Sequence, residues 1–395
     1  MTIEGRSDAR QGGRIRLGMV GGGEGAFIGL VHRIASRIDD NYELVAGALS
    51  STPDKARRSG EALGLAAERI YGDYESMAKA EAKREDGIEA VAIVTPNHTH
   101  AGPAIAFLEA GVHVICDKPL TVSLAEAKKM KATVDKSGRI FALTHNYTGY
   151  PLVRRMRELV RGGDLGEIRL VQVEYPQDWL TGPTETTGNK QAEWRTDPKR
   201  AGAGGALGDI GTHAYNLADY VTGLDLAELS ADLTAFGEGR ALDDNVQIML
   251  RYANGARGAL WASQVAPGNE NGLMLRVYGT KGGVHWRQEN PNQLFWSPFE
   301  KARRIITRGG PESGEAAARV TRIPPGHPEG YLEGFANIYS EVAAAIKAAR
   351  AGKRPPQGVH FPTIDDGVKG LAFVEAAVKS SKANGIWMKM AGGRA

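Results

Sequence analysis

The sequence predicts an α/β protein with two domains: a doubly wound parallel sheet, followed by an α+β domain with an open, mainly antiparallel sheet. Three observations lead to this prediction. In residues 14–145 short apolar segments alternate with helix-like segments, which is typical of a parallel sheet. After about residue 150 the strand-like segments become longer and follow one another. The chain has 395 residues, enough for two such domains.

The first domain is assigned to residues 14–145 from its alternating pattern. Its apolar segments predict strands over 14–20, 42–49, 90–94, 112–116 and 140–143. Helices are predicted between them over 26–38, 53–63, 99–110 and 124–137. Ser51 or Thr52 is a candidate cap for the second helix, and Ser123 for the fourth.

The second domain is assigned to residues 146–395. A helix over 152–161 precedes strands predicted over 167–175, 227–236, 244–253, 256–266 and 273–278. Asn254-Gly255 predicts a hairpin and Lys281-Gly-Gly283 another turn. Late helices are predicted over 331–350 and 364–383, their apolar residues recurring at helical spacing. The basic, Gly/Pro-rich stretch 300–325 is expected to be a surface loop.

Composition excludes several classes of protein. The chain is 42% hydrophobic and 24% charged, and its net charge of +3 is too small to favour nucleic acid or an anionic membrane as partner. No apolar run approaches the roughly 20 residues of a membrane span. Cys116 is the only cysteine, in a strand where core packing is its expected role. Residues 1–13 are expected to be a disordered tail and not a signal peptide, so a cytoplasmic location is predicted.

A glycine-rich turn joins the first strand to the first helix. Gly21, Gly23 and Ala26 satisfy the pattern Gly-x-Gly-x-x-Gly/Ala. The first glycine permits the turn, the second admits a pyrophosphate, and the small third residue allows close packing. We therefore predict a dinucleotide at the helix N-terminus, where free N–H groups favour an anion. The candidate contacts are Gly21, Gly23, Glu24, Gly25, Ala26, Phe27 and Ile28.

The end of the second strand bears on the choice between NAD and NADP. An acidic residue there would bind the ribose 2′-hydroxyl and repel a 2′-phosphate. The strand ends instead in Ser50 and Ser51, which are candidate cofactor contacts. Arg57 and Arg58 follow but do not adjoin the strand. Both cofactors therefore stay open, with a slight preference for NAD.

The third strand ends in Thr95-Pro-Asn-His-Thr-His100. Because open parallel sheets bind ligands at the carboxyl ends of their strands, Thr95, Pro96, Asn97 and His100 are predicted to contact the cofactor. His98 and His100 have no acidic residue close in sequence, so no metal site is expected.

The fourth strand ends in Asp117-Lys118-Pro119. Proline biases Lys118 toward extended backbone and allows a cis peptide bond. A lysine held at this edge of the sheet can stabilise negative charge on a reacting oxygen. Asp117 can pair with it and keep it charged. A solvated surface lysine is the alternative.

Asp209 and His213 lie four residues apart in Gly204–Asn216, at the predicted entry to a helix. Four residues span about one helical turn, so both side chains are expected on one face. A carboxylate beside an imidazole can fix its tautomer and raise its basicity. This pair suits a general base that takes a proton from a hydroxyl.

These motifs together resemble the Gfo/Idh/MocA family of oxidoreductases, over roughly residues 14–390. A late Asp365-Asp-Gly367 also fits. Two departures stand out: the family usually has Glu-Lys-Pro where this chain has Asp117, and often an aspartate where it has Asn216. The resemblance implies a Rossmann domain, and that Lys118, Asp209 and His213 meet over the nicotinamide. It also implies homo-oligomers, dimers or tetramers, formed by packing of the open sheets.

The remaining candidates concern substrate. Asn146 and Tyr147 follow the fifth strand, where the family contacts the nicotinamide and substrate. Trp179, Trp194 and Arg195 suit a polyhydroxylated ring, by stacking on its C–H surface and bonding its hydroxyls. A purely structural role is the alternative for each of these three.

We therefore expect an NAD(P)-dependent dehydrogenase that oxidises a secondary hydroxyl of a cyclitol, sugar or sugar derivative. The resemblance of residues 25–33 to one subgroup favours inositol, then L-sugars or anhydrosugars. One rival is a glycosidase that uses NAD in a closed redox cycle. Another is a cofactor-sensing regulator without turnover, for which Lys118, Asp209 and His213 would be needless.

Overall fold

The computed structural model describes residues 13–390, apart from the side chain of Lys190. Contacts between residues divide the chain into two compact units. The first comprises residues up to Thr121, Ala125–Gly149 and Tyr331–Val368, and the second Val122–Leu124, Tyr150–Gly330 and residues from Lys369 onward. The predicted tail, residues 1–13, lies outside the described residues except for Gly13.

Strands and helices alternate early in the chain, and strands follow one another in its middle. The strands are β1 (Ile15–Gly21), β2 (Tyr42–Ala48), β3 (Ala90–Val94), β4 (His113–Cys116), β5 (Phe141–Leu143), β6 (Ile168–Pro176), β7 (Leu226–Thr234), β8 (Asn245–Tyr252), β9 (Arg257–Ser263), β10 (Met274–Gly279), β11 (Gly282–Arg287), β12 (Gln293–Pro298), β13 (Arg304–Thr307) and β14 (Met388–Lys389).

The helices include all of those predicted and several short ones. They are α1 (Phe27–Ile38), α2 (Pro53–Ala62), α3 (Tyr74–Glu81), α4 (Ala101–Glu109), α5 (Leu124–Ser137), α6 (Pro151–Arg161), α7 (Lys190–Arg195), α8 (Pro198–Ala201), α9 (Thr212–Thr222), α10 (Glu315–Ala318), α11 (Tyr331–Arg350) and α12 (Ile364–Lys382). Within residues 13–390, none has both the length and the apolar composition that crossing a membrane requires.

The first unit contains a five-stranded sheet with the order β2-β1-β3-β4-β5. Each neighbouring pair is parallel, which confirms the predicted doubly wound sheet. β3 and β4 are buried along their whole length, as their continuous apolar sequences predict. The parallel register places Gly21, Val94 and Cys116 at one edge of the sheet, so the loops that follow them are neighbours.

The second unit contains a nine-stranded sheet with the order β13-β12-β11-β10-β6-β9-β8-β7-β14. Its pairs are antiparallel except for β6 with β9, which confirms a mainly antiparallel sheet. Asn254-Gly255 joins β8 to β9 in the predicted hairpin, with Gly255 at φ +91°. Helices α6 and α9 contact one face of the sheet. Side chains of the other face, including Leu170 and Met249, are exposed.

The prediction of a surface loop over 300–325 is wrong. This stretch contains β13, which pairs with β12 at the sheet edge, and the short helix α10. It also contains Arg308, which is buried and paired with Glu329 at 3.2 Å. The sequence did not predict this strand because only one of its four residues, Ile306, is buried.

Helix α11 has the predicted bounds but packs in the first unit. Phe335, Tyr339 and Val342 of α11 share one core with Val31 and Ala35 of α1. The first unit therefore includes a helix from the far end of the chain. The domain boundary predicted between residues 145 and 146 stays a prediction. Periodicity predicted the helix, but it carries no information about which sheet the helix covers.

Candidate active site

The glycine turn after β1 depends on backbone positions that exclude side chains. Gly21 and Gly25 have φ of +78° and +75°, where glycine is favoured. A Cβ on Gly23 would lie 2.6 Å from the carbonyl oxygen of Leu49, so the turn lies against the end of β2. A Cβ on Gly25 would have nothing within 4 Å. This side of the turn is therefore open, with room for a ligand.

Helix α1 begins directly after this turn. Its N-cap, Ala26, makes no capping hydrogen bond through its side chain, and the first turn carries no acidic residue. Such a terminus favours an anion. Phe27 is 63% exposed beside it. The close packing predicted at Ala26 stays a prediction, and the structure adds another small position: a Cβ on Gly29 would lie 2.3 Å from Cα of Gly22.

The loop after β2 presents hydroxyls and one arginine. The Ser50 hydroxyl accepts an N–H two residues further on, and Ser51 is exposed. Arg57 is paired within its own helix. Arg58 lies 3.9 Å from Glu24 of the glycine turn. Of the two arginines, Arg58 is therefore the one beside the predicted cofactor contacts.

His100 joins the loops that follow β3 and β4. Its ring is fully buried, with Nδ1 2.9 Å from the carbonyl oxygen of Pro119 and Nε2 2.8 Å from that of Thr95. Burial lowers its pKa, against the opposing effect of Asp117. Because both ring nitrogens face backbone oxygens, this geometry favours a role in holding the loops together over the predicted contact with the cofactor. Pro96 and the buried Asn97 lie in the loop after β3.

Asp117 is a buried, ionised carboxylate next to Lys118. Its Oδ1 accepts a hydrogen bond of 2.8 Å from the Thr144 hydroxyl. Burial alone would raise its pKa, but the His32 ring and the charge of Lys118 lower it to about 2. The same charge, after burial, helps to lower the pKa of His145 to about 3. Lys118 therefore lies within electrostatic range of both side chains. The Lys118–Pro119 bond is cis, as the sequence allowed.

Asn146 lies in a buried 3-10 turn after β5, together with Tyr147. Asn146 is 2% exposed, and its Nδ2 has no hydrogen-bond partner among residues 13–390. A buried donor without a partner is rare, and an acceptor atom of a bound ligand would satisfy it. With the open side of the glycine turn at Gly25 and the uncapped α1 terminus, this donor fits a bound dinucleotide. Tyr147 is 4% exposed.

Asp209 lies in the second unit, on one π-helical turn (Leu207–Gly211) that leads into α9. His213 is the second residue of α9 and is buried. The sequence predicted a plain α-helical entry, and the structure shows this wider turn instead. It is fixed by Asp243, whose carboxylate accepts the N–H groups of Gly205 and Leu207 at 2.8 Å each. Turns of this kind occur often at functional sites.

Two donors hold one oxygen of the Asp209 carboxylate. Oδ2 accepts from Nε of Arg195 at 3.2 Å and from Nε2 of Gln264 at 2.9 Å. The Arg195 guanidinium also lies 4.3 Å from the ring centre of Trp194. The sequence selected Arg195 for contact with substrate hydroxyls, and the structure gives it a direct contact with Asp209. Gln264, which directly follows β9, was missed because no motif marks it.

Amide side chains extend this network toward Trp179. The Trp179 indole donates to Oε1 of Gln177 at 3.1 Å, and Nε2 of Gln177 donates to Asn271 at 2.8 Å. The hydroxyl of Tyr175 donates to the same Asn271 oxygen, and its ring lies edge-on to His213 with centres 6.3 Å apart. The region around His213 is thus lined by neutral polar groups and aromatic rings, which suits a polyhydroxylated ligand.

Comparisons with known proteins decide the family. Residues 15–145 match the model described as oxidoreductase family, NAD-binding Rossmann fold, and residues 153–285 match the GFO/IDH/MocA C-terminal domain. The chain belongs to the Gfo/Idh/MocA oxidoreductase family. Its first sheet is therefore an NAD-binding Rossmann domain, as predicted.

Three relatives illustrate the range of the family. An oxidoreductase from Sinorhizobium meliloti is 58% identical, with a TM-score of 0.87 over 95% of this chain and 99% of that one. An inositol dehydrogenase homolog from Azotobacter vinelandii, solved with NAD+, is 36% identical with a TM-score of 0.92 over 95% and 97%. The levoglucosan dehydrogenase of Pseudarthrobacter phenanthrenivorans is 29% identical over 95% of this chain and 97% of its own.

A metal site is not evident in the same region. Across residues 13–390, no cluster of three or more His, Cys, Asp or Glu side chains is arranged to hold a metal ion. His100, one of the two histidines considered for this role, has both ring nitrogens at backbone carbonyls.

Proposed function

We propose that this oxidoreductase is an NAD(P)-dependent dehydrogenase that converts a secondary hydroxyl of a cyclitol, sugar or sugar derivative to a ketone. The observation that carries the proposal is the turn at Asp209 and His213, with Asp209 held by Arg195 and Gln264 in a region lined by amides. An inositol is the first candidate substrate, since the Azotobacter relative has been solved with NADH and myo-inositol. An anhydrosugar is the second, since another relative acts on levoglucosan.

In this proposal His213 removes the proton of the substrate hydroxyl. Asp209 stabilises the imidazolium that forms, as a carboxylate near a histidine base does. Arg195 and Gln264 fix the carboxylate, because both donate to its Oδ2. Trp179 and Trp194 are proposed to contact the C–H surface of the substrate ring.

Lys118 is proposed to stabilise the negative charge that develops on the substrate oxygen. The buried carboxylate of Asp117 supplies the counter-charge beside Lys118, since its pKa is lowered to about 2. Glycines 21–25, the α1 terminus and Asn146 are proposed to hold the cofactor. When bound, the nicotinamide supplies the hydride acceptor.

The test is a turnover screen of the purified protein. NAD and NADP are offered separately with inositols, aldoses, anhydrosugars and glycosides, and formation of reduced nicotinamide is followed. We expect a polyol or sugar to give net reduced nicotinamide. Cleavage of a glycoside without net reduction would show the closed redox cycle instead, and cofactor binding without any turnover would show a sensor.

We also propose that the protein is a cytoplasmic homo-oligomer. The open face of the nine-stranded sheet supports self-association, because Leu170, Met249, Tyr278 and Ile305 are exposed there. A single buried cysteine is consistent with a reducing compartment. Light scattering of the purified protein tests the oligomer, and a monomer at micromolar concentration would contradict it.

A further inference from the structure

His32 is a fully buried histidine on α1, the helix that follows the glycine turn. Its Nδ1 lies 2.8 Å from the hydroxyl of Tyr339 on α11, and its Nε2 lies 3.8 Å from Oδ1 of Asp117. Its ring packs edge-on against Phe335 and Tyr339, with centres 5.2 and 5.7 Å apart. Its burial excludes a role at the protein surface.

The two neighbours of the His32 ring, Tyr339 and Asp117, indicate which ring nitrogen carries a proton. Burial raises the pKa of Tyr339, so its phenol keeps its proton. If Nε2 of His32 were unprotonated, its lone pair would face the Asp117 carboxylate, a repulsive arrangement in a buried setting. Nε2 therefore carries a proton. The Tyr339 hydroxyl then donates to Nδ1.

The N–H at Nε2 is directed to a carboxylate that needs it. A buried carboxylate is costly unless donors surround it. Asp117 has the Thr144 hydroxyl at 2.8 Å, and His32 lowers its pKa further. At 3.8 Å the His32 contact is longer than a hydrogen bond, and Nε2 has no other partner among the described residues. Small movements of α1 or of the loop at Asp117 would close it.

Without His32, Asp117 retains the hydrogen bond from the Thr144 hydroxyl, and the next charge that acts on it is the ammonium of Lys118. We propose that His32 is a positioning residue: by holding Asp117, it keeps the charged end of Lys118 available to the substrate oxygen. This inference rests on the proposed function, where Lys118 acts on that oxygen. It connects α11, α1 and the end of β4 through Tyr339, His32 and Asp117.

Kinetics of matched variants test the proposal. His32→Phe keeps a ring of similar size but removes both nitrogens. We expect kcat for the polyol to fall about 10- to 100-fold, as for other residues that orient a functional group, with unchanged affinity for NAD. His32→Gln places an amide N–H near the position of Nε2 and should restore most of kcat. His113→Asn removes another buried ring, bonded to the backbone N–H of Ile140, and should leave kcat unchanged.

Two kinetic outcomes would overturn the proposal. One is a folded His32→Phe protein with the kcat of the wild type. The other is a His32→Gln protein as slow as His32→Phe, since an N–H restored near the position of Nε2 would then have no effect on turnover.

A second measurement does not depend on turnover. Long-range nitrogen–proton NMR spectra of protein labelled with ¹⁵N-histidine report which ring nitrogen of His32 is protonated. We expect a protonated Nε2 whose resonance shifts strongly in Asp117→Asn. An unprotonated Nε2 would overturn the inference even if the protein proves to be a dehydrogenase. A protonated Nε2 in a protein without turnover would leave the contact supported and count against the proposed function alone.

Discussion

At the residue scale, the surroundings of Asp209 set its expected role. A cation and a neutral amide both donate to its Oδ2, so the carboxylate is held in one position. Asp209 is thus suited to stabilising a positive charge nearby. The imidazolium that forms when His213 accepts a proton is such a charge.

His213→Ala should abolish most of the turnover and leave cofactor binding intact. The loss expected for a missing general base is about 100-fold or more in kcat. Steady-state kinetics and NAD titration measure the two effects. His327→Ala, which removes an exposed imidazole, is the control. Near wild-type turnover in His213→Ala would rule out its role as base.

Gln264→Leu should lower kcat without a large change in stability. It removes one of the two hydrogen bonds that hold Asp209, and a bond to a charged group contributes about 1.5–3 kcal/mol. If that energy acts on the transition state, kcat falls about tenfold or more. Gln357→Leu, at an exposed position after α11, is the matched control. Equal kcat in the two variants would show that Arg195 alone suffices.

Ser50→Asp should suppress the use of NADP while sparing NAD. A carboxylate at the end of β2 repels a 2′-phosphate and can bind a ribose hydroxyl. The ratio of kcat/KM for the two cofactors measures the effect. An unchanged ratio would show that the loop after β2 does not contact the ribose.

Candidate residues that stand in motifs could be selected from the sequence, but the residues that contact them through the fold could not. Lys118, Asp209 and His213 are marked by their neighbours along the chain. Gln264 lies 55 residues from Asp209, and the order of strands in the second sheet brings it there. Asp243 reaches the turn at Gly205 in the same way. No local spacing encodes either contact.

At the element scale, the contact between α1 and the glycine turn determines the shape of the cofactor site. The sequence assigned this contact to Ala26, since the pattern of the turn names that position. The structure shows a close approach at Gly29 as well, almost one helical turn later. The pattern of the turn does not include Gly29, because this contact depends on how the helix crosses the turn.

Gly29→Ala should weaken binding of NAD by displacing α1 from the turn. Its Cβ would lie 2.3 Å from Cα of Gly22, a distance that only backbone movement can relieve. Gly72→Ala is the control, since a Cβ there would have nothing within 4 Å. Calorimetric titration with NAD measures both. Equal affinities would show that the helix adapts without loss.

The strands of the first sheet were predicted more completely than those of the second, and the reason is physical. Buried parallel strands such as β3 and β4 are continuous apolar runs, which the sequence displays directly. Edge strands such as β13 are mostly exposed and carry arginines, so their pattern is that of a loop. The partner of α11 could not be predicted either, because periodicity defines an apolar face and not what covers it.

At the scale of the whole molecule, two buried histidines and the half-buried His285 predict a loss of stability in acid. Burial lowers the pKa of His113 and His285 to about 4 and that of His145 to about 3. Between about pH 6.5 and 4 the unfolded chain therefore binds more protons at these sites than the folded one. Asp243 opposes this, because burial raises its pKa to about 6, and its effect destabilises the fold as pH rises from 3.8 to 6.

Thermal melting at pH 7 and pH 5 tests whether the three histidines or Asp243 have the larger effect on stability. We expect a lower Tm at pH 5, since three histidines outweigh one carboxylate. His113→Asn should reduce the difference between the two temperatures. Equal Tm values at both pH values would contradict the assignment of buried, neutral histidines.

The most direct test of dehydrogenase activity follows a labelled hydrogen. A polyol that gives turnover is prepared with deuterium on the carbon of the reacting hydroxyl, and the protein is incubated with excess NAD. We predict deuterium at C4 of the released reduced nicotinamide, detected by NMR, together with the ketone product, and neither with His213→Ala. Deuterium retained in the sugar, or no transfer for any substrate, would contradict the assignment of a dehydrogenase.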